Sequence, residues 1–315
     1  MNARSPFPYS DDNKRYHTLA YHDRHVHGRR LWKAVLDGGC SCPNLDGTCG
    51  TGGCAFCDGG SGAFTQPLPL AAQLGLEAAR IRCRAPDAGI VAYFQPHTNT
   101  YAPLPRLREM YETALAYPGV VGLAVGTRPD CLPPDVLDLL SEMHARTRLT
   151  VELGLQTVHD RTAEGFGRGY GYDVFLRSYA ALQARGIRTC VHLINGLPGE
   201  TADDMVETAR VLGQLRPQAV KLQLLHILVG TRYTDAYRRG EIVPLTQAQY
   251  LDILVRQLEV LPPETVIERV TGDGEKARLL APLWSMDKRS TLGGLDKAQV
   301  LAGSWQGKAY REDVP

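Results

Sequence analysis

The sequence lacks any apolar run long enough to cross a bilayer, and its first residues, MNARSPFPYSDDNKRY, lack the apolar core of a signal peptide. These two absences predict a cytoplasmic protein without a membrane partner. An excess of one charge sign is also missing, since the 315 residues carry a formal net charge of +1. This balance gives no general argument for nucleic-acid binding. No low-complexity linker divides the chain, so one α/β barrel or two smaller domains would both fit its length.

One segment departs from the charge balance. Between Asn13 and Lys33 there are six Lys or Arg residues, four His residues and a single acidic residue, Asp23. Such a segment could face phosphate groups, or it could be a solvated arm. We predict three parts of the chain: a basic N-terminal extension over 1–35, a barrel over 36–270, and a C-terminal extension over 271–315 that packs on the barrel.

From residue 89 onward, short β-rich runs alternate with amphipathic segments of helical period. The runs begin near Gly89, Gly119, Leu149, Ile187, Ala219 and Thr265, and the helical segments are Leu104–Tyr117, Pro134–Arg146, Tyr172–Arg185, Thr201–Leu215 and Thr246–Leu261. Near-continuous apolar runs are typical of a parallel sheet covered by helices. The alternation predicts an α/β fold with roughly six βα units, either a whole or partial barrel or an open sheet. We expect irregular structure after about Gly272.

In either architecture the site lies at the carboxyl ends of the strands. The residues at those ends are polar, glycine or proline in the main: 95–100, 126–131, 156–157, 195–200 and His226. This set predicts a polar ligand with several functional groups. Glu152 alternates with apolar neighbours in VELGL and is predicted to point into the barrel. An unpaired carboxylate is costly there, so we expect a partner or a ligand for it.

Five of the eight cysteines fall between Cys40 and Cys57. Within this loop, Cys42, Cys54 and Cys57 form C-x11-C-x2-C. Structural zinc would need a fourth thiolate, which Cys49 could supply, and a ferredoxin would also ligate every iron. Three thiolates alone would hold a 4Fe–4S cluster with one iron open to a reacting molecule. Phe56 could pack on such a cluster or a planar ligand, or it could anchor the loop.

The cysteine loop together with six later blocks resembles a known family. Those blocks are AYFQPHTNTYAP, GTRPDCLP, VELGLQT, HLINGLPGET, KLQLLHILVGT and TGDG…APLWS. Across about residues 15–305 the chain is similar to the radical SAM superfamily, in particular to bacterial YhcC/YtqA-type proteins related to the radical SAM domain of the Elongator catalytic subunit. Cys40 and Cys49 are additional to the motif, FQPHT replaces the GGE found in many members, and the Elongator acetyltransferase domain is absent.

The resemblance implies a partial (β/α)6 TIM-like barrel that uses a 4Fe–4S cluster on Cys42, Cys54 and Cys57 to cleave S-adenosylmethionine (SAM) into methionine and a 5′-deoxyadenosyl radical. By match to superfamily positions, it assigns seven residues around SAM. Gln95 and Thr98 would hold the amino group, Arg168 the carboxylate, Gln156 and His192 the ribose or methionine moiety, and backbone at Gly196 and Leu197 the adenine.

The resemblance also indicates a substrate, which the residues alone do not identify. It implies tRNA wobble-uridine modification, with flavodoxin or ferredoxin as the electron donor. The basic N-terminal segment and Lys276, Arg278, Lys288 and Arg289 would then contact phosphates. Cys131, at the end of the third run, could face the substrate as a thiol donor, or it could be a buried cysteine. A radical enzyme for a small molecule and a zinc-stabilised binding protein stay open as alternatives.

Overall fold

The structure is a computed structural model that describes residues 7–57, 68–272 and 276–312. Asp273 and Gly274 of the TGDG block therefore lie outside the described residues. Within these ranges, no helix combines the length and apolar character needed to cross a membrane.

Strands and helices alternate along most of the described chain. The strands are β1 (Leu31–Leu36), β2 (Gly89–Phe94), β3 (Val120–Thr127), β4 (Arg148–Gln156), β5 (Arg188–Asn195), β6 (Ala219–Leu224), β7 (Ile227–Leu228), β8 (Val266–Arg269) and β9 (Leu279–Ala281). The helices are α1 (Leu19–His27), α2 (Leu70–Arg84), α3 (Leu104–Leu115), α4 (Pro134–Arg146), α5 (Asp160–Phe166), α6 (Tyr172–Gln183), α7 (Ala202–Gln214), α8 (Arg232–Arg238), α9 (Gln247–Val260) and α10 (Lys288–Leu301).

The main sheet has the strand order β1-β2-β3-β4-β5-β6-β8, and β7 pairs with β9 in a two-stranded sheet. Neighbours pair in parallel where the register is defined, with Leu31 opposite Gly89, Ile90 opposite Val120 and Gly122 opposite Arg148. Helices separate most consecutive strands, as parallel connections require. The predicted α/β class with a TIM-like parallel sheet is confirmed.

The chain forms two compact units. Unit 1 comprises Met1–His22, Gln156–Phe166 and Val191–Pro315, and unit 2 comprises Asp23–Leu155 and Gly167–Cys190. Each has an apolar core. In unit 2, Leu36, Leu74 and Phe94 are fully buried, and in unit 1 Leu222 and Leu254 are. The core residues lie on strands and on the inner faces of helices, which matches the apolar periodicity of the sequence.

The five helical segments expected from the sequence are present within two residues of their expected ends, and Thr201 with Asp204 forms the expected capping box. The expectation of irregular structure after Gly272 is wrong, because Lys288–Leu301 is a helix. Its Gly293-Gly294 pair hid the helical signal. A Cβ on Gly294 would lie 2.8 Å from Leu251, so the glycine permits close packing on α9.

The parallel pairing of β3 with β4 yields a stability test at Gly122. A Cβ there would lie 2.8 Å from the carbonyl oxygen of Arg148, which belongs to backbone that cannot rotate away. Gly122→Ala should therefore lower the free energy of unfolding by about 1–3 kcal/mol, measured by urea denaturation. Gly165→Ala in α5 is the control, because nothing lies within 4 Å of its added methyl group. Equal stability of the two variants would contradict the close approach of Gly122 to the Arg148 carbonyl.

Candidate functional site

The cysteine loop of unit 2 begins directly after β1, at the carboxyl edge of its strands. Backbone hydrogen bonds fold the loop on itself. The Cys42 carbonyl accepts N–H bonds from Leu45 at 2.8 Å and Asp46 at 3.2 Å, and the Cys57 N–H donates to the Cys54 carbonyl at 2.9 Å. The loop thus fixes the spacing of its thiols through main-chain bonds before any ligand is present.

Cys54 has the most closely defined surroundings of the three motif cysteines. The Asn44 amide donates to its sulfur at 3.3 Å and to the Gly167 carbonyl at 2.7 Å. Burial raises the pKa of the Cys54 thiol to about 11, and the Asn44 hydrogen bond acts in the opposite direction. Asn44, only 3% exposed, therefore connects a motif sulfur to the loop that precedes α6.

The three motif cysteines are reduced, and charge on Cys57 or Cys42 also raises the pKa of Cys54, so both lie within electrostatic reach of the Cys54 thiol. No group of three His, Cys, Asp or Glu side chains in the described ranges already has the spacing of a metal site. The donor set is nevertheless three soft sulfurs with an N–H donor beside one of them. This chemistry fits an iron–sulfur cluster, whose thiolates accept such hydrogen bonds.

The segment after β2 contacts the cysteine loop. The buried Thr98 donates its backbone N–H to the Ser41 carbonyl at 3.1 Å. Its neighbour Asn99 is fully buried, donates its side-chain amide to Pro96 and Gly126 carbonyls, and leaves its Oδ1 without a hydrogen-bond partner among the described residues. Gln95 is half-buried in the same segment, and Phe56 is half-buried in the loop itself.

Glu152 has the partner that its sequence context requires. Its side chain is completely inaccessible, and Lys33 on β1 pairs with its Oε1 at 2.5 Å. Tyr93 on β2 donates its hydroxyl to Oε2 at 2.5 Å. Lys33 also lies 4.9 Å from the centre of the Tyr93 ring. Both carboxylate oxygens thus have strong donors, which offsets the cost of burying the charge.

Arg168 is almost fully buried, and hydrogen bonds hold its guanidinium within unit 2. Nε donates to the Tyr170 carbonyl at 2.9 Å, and a terminal nitrogen donates to the Leu155 carbonyl at 2.6 Å. Arg168 and Arg128 lie 4.8 and 4.9 Å from the Tyr170 ring centre. The structure therefore gives Arg168 a backbone-holding role, and its assignment to the SAM carboxylate stays a prediction.

Cys131 is a buried thiol in the turn after β3. Its sulfur lies 3.8 Å from Asp130 Oδ1, and Asp130 in turn accepts two hydrogen bonds from Arg128. Burial, with the Asp130 charge added to it, raises the pKa of Cys131 well above the usual range. Burial therefore favours the neutral S–H form of this thiol.

The remaining expected SAM residues belong to unit 1. Gln156 has a φ of +63°, and its side-chain oxygen is buried without a hydrogen-bond partner among the described residues. His192 is half-buried, with Nδ1 3.3 Å from the Gln223 amide. Gly196 has a φ of +91°, and Leu197 is buried. A strained residue with an unused buried acceptor is typical of a ligand site.

Two family profiles match the chain, and they cover most of it. The profile described as Radical SAM superfamily matches residues 47–212, and the profile described as Radical_SAM C-terminal domain matches 217–300. The chain belongs to the radical SAM superfamily.

Individual proteins similar to this chain indicate which part of the superfamily it resembles. YtqA of Bacillus subtilis is 45% identical over 99% of this chain and 98% of its own length. The tRNA uridine(34) acetyltransferase of Methanocaldococcus jannaschii is 25% identical over 49% of this chain and 28% of that protein. The solved structure of Methanocaldococcus infernus Elp3, lacking residues 1–46, superimposes with a TM-score of 0.67 at 15% identity, covering 88% of this chain and 64% of that one. The resemblance to YhcC/YtqA-type proteins is confirmed.

Several contacting residues were not expected from the sequence. Asn44, Lys33, Tyr93 and Tyr170 all touch an expected site residue. Lys33 did carry a signal, because a lone lysine inside the apolar run LWKAVL requires a buried counter-charge. Asn44 carried none, since an asparagine between loop cysteines is equally consistent with a turn.

The Glu152 pair yields a second stability test. Lys33→Met should lower the free energy of unfolding by about 3 kcal/mol, because it removes a cation that pairs directly with a fully buried carboxylate. The double variant Lys33→Met/Glu152→Gln should recover most of the loss. Urea denaturation measures both. Arg177→Met is the control and should change little, since the Arg177–Asp173 pair is exposed. Wild-type stability of Lys33→Met would contradict this account.

Proposed function

We propose that Cys42, Cys54 and Cys57 ligate a 4Fe–4S cluster and that SAM binds at its open iron. The observation that carries the proposal is the hydrogen-bonded loop that brings Cys42 and Cys57 within electrostatic reach of the Cys54 thiol. When bound, the cluster and SAM supply a 5′-deoxyadenosyl radical by reductive cleavage. Cys40 and Cys49 are assigned as non-ligands, and the free thiols fit a reducing, cytoplasmic compartment.

The chain's own residues then position and shield these groups. Asn44 holds the Cys54 sulfur through an N–H bond, which stabilises negative charge on that sulfur. The unused buried oxygen of Gln156 supplies an acceptor of the kind a ribose hydroxyl needs. Cys131 is assigned as a thiol that gives a hydrogen atom to a substrate radical, and the thiyl radical left on its sulfur is reduced back to S–H by one electron from the electron donor and a proton from solvent. Gln95, Thr98, Arg168, His192, Gly196 and Leu197 keep the SAM-binding roles that the family resemblance gives them, and Glu152 and Phe56 support the site.

A pair of cysteine variants in the same loop tests this proposal. Cys54→Ala, after anaerobic reconstitution, should lose the brown chromophore and the formation of 5′-deoxyadenosine under reduction. Cys49→Ala should keep both, because Cys49 is exposed and lies 4.0 Å from Asp130 Oδ2. The measurements are the visible spectrum, bound iron, and chromatography of the nucleoside product. Loss of iron from Cys49→Ala would show that the ligand set is wrong.

The substrate we propose is a wobble uridine in tRNA, with an electron donor such as flavodoxin or ferredoxin. Similarity to a tRNA uridine(34) acetyltransferase and to the Elp3 fold supports this choice. The acetyltransferase activity itself is not carried over, because the chain matches only 28% of that protein.

Nucleoside analysis tests the substrate directly. In a strain without the gene, bulk tRNA should lose one modified uridine or accumulate its precursor, because the radical step that completes it is missing. Mass spectrometry of digested tRNA is the measurement. Complementation with the wild-type gene should restore the profile, whereas the Cys54→Ala gene should not. An unchanged profile would favour a small-molecule substrate.

A further inference from the structure

Arginines lie at the amino ends of the strands in unit 2, at the edge opposite the cysteine loop. Arg29 and Arg30 immediately precede β1, Arg148 is the first residue of β4, and Arg188 is the first residue of β5. Because β1 to β4 pair in parallel, their amino ends meet along one edge of the sheet.

The last turn of α2 contributes two more arginines to this edge. Arg84 ends the helix just before β2, and Arg82 donates to the Pro118 carbonyl, which precedes β3. Every strand from β1 to β5 therefore has an arginine close to its amino end. Arg188 is half-buried and donates to the Thr150 hydroxyl at 3.2 Å, so we call the five exposed residues Arg29, Arg30, Arg82, Arg84 and Arg148 the arginine edge.

The arginine edge differs from the helix-face arginines of unit 2 in its lack of ion pairs with carboxylates among the described residues. Arg29, Arg30, Arg84 and Arg148 are exposed, and none makes an ion pair with a carboxylate in the part of the chain that the structure describes. Arginines on the helix faces of the same unit do pair: Arg80, Arg106, Arg108, Arg146, Arg177 and Arg185 each lie within 4 Å of a Glu or Asp oxygen.

Acidic residues are nearly absent from the loops that lead into these strands. Within 28–30, 85–88, 117–119, 147–148 and 186–188, Asp87 is the single acid. The nearby Asp23 is buried, and it accepts the Leu31 N–H at 3.0 Å. Burial lowers the pKa of His27, and the positive charges of Arg148 and Arg188 lower it further, so both arginines lie within electrostatic reach of His27.

The preference of helix C-termini for cations explains only part of this clustering of positive charge. The last turn of α1 contains Arg24, His25 and His27, which a helix C-terminus favours. Arg148 and Arg188 begin strands, which have no comparable dipole. Like charges collected on one edge without carboxylates raise the energy of the free protein, and an anionic partner would relieve that repulsion.

We propose that the arginine edge binds the phosphate backbone of RNA, as a second contact apart from the reaction site. This inference rests on the proposed tRNA substrate. Guanidinium groups suit phosphate because they bind it in a bidentate manner. From β1 to β4 the edge spans three strand spacings, about 14 Å. That width accommodates several phosphates, since one strand of a duplex carries a charge about every 3.4 Å of axis.

An acidic electron-donor protein fits this edge less well. Six residues of β1 separate Arg30 from the start of the cysteine loop, which corresponds to about 20 Å. An electron-donor protein transfers its electron faster when it docks close to the cluster ligands. A tRNA, in contrast, is long enough to contact both ends of the strands.

The test uses the full chain after anaerobic reconstitution of its cluster, together with bulk tRNA, and anisotropy is measured over a range of KCl concentrations. The triple variant Arg29→Glu/Arg30→Glu/Arg148→Glu should bind more than tenfold more weakly than wild type. The slope of log K against log salt should also become shallower by about two to three, one for each lost phosphate contact. Arg108→Glu/Arg146→Glu/Arg177→Glu makes the same charge change on helix faces and should weaken binding only slightly.

Other results would overturn the inference in recognisable ways. Equal loss of affinity in the two triple variants would show a general charge effect and no binding edge, and the tRNA nucleoside result would stand unaffected. Absence of any wild-type tRNA affinity at low salt would also overturn it. Unchanged tRNA affinity with slower reduction by flavodoxin would identify the edge as a protein-docking surface. If replacing Arg148 weakens folding, Arg29→Glu/Arg30→Glu alone repeats the test.

Discussion

Strands β1 to β4 of unit 2 all run parallel, and this shared direction places the cysteine loop and the exposed arginines at opposite edges of the sheet. The loops that leave β1, β2 and β3 contain the cysteines, Thr98 and Cys131. Exposed arginines lie near the amino ends of the same strands, in the loop before β1 and in the last turn of α2, and make no ion pair with a carboxylate within the described ranges. One topology thus places partly buried thiols at one edge and exposed cations at the other.

Buried polar contacts hold the candidate site in place before a cofactor binds. Asn44 connects the Cys54 sulfur to the Gly167 carbonyl, and Arg168 connects the Leu155 and Tyr170 carbonyls. Lys33 and Tyr93 together fix Glu152 between three strands. Burying any one of these polar groups without a hydrogen-bond partner would cost free energy, so the partners stabilise each other in the interior. Such mutual dependence keeps the thiols and the strand ends at defined positions.

The sequence predicted the periodic part of the fold well. The helix at Pro134–Arg146 agrees at both ends, because Pro133-Pro134 marks its start and its apolar residues recur with helical period. β1 was missed, since a single lysine and a short length weaken its apolar signal, and α10 was missed because two glycines interrupt it. The expectation of a partner for Glu152 was correct, but its identity was not predictable: Lys33 lies 119 residues away in sequence. Contacts of this kind depend on strand register, which periodicity does not reveal.

The central claim is that three cysteines of one loop ligate an iron–sulfur cluster. Chemical analysis of the protein purified without oxygen tests this most directly. The account predicts about four iron atoms and about four acid-labile sulfides for each chain, with an electron paramagnetic resonance signal of the reduced protein that changes when SAM is added. One zinc ion for each chain, without labile sulfide and without a response to SAM, would contradict it.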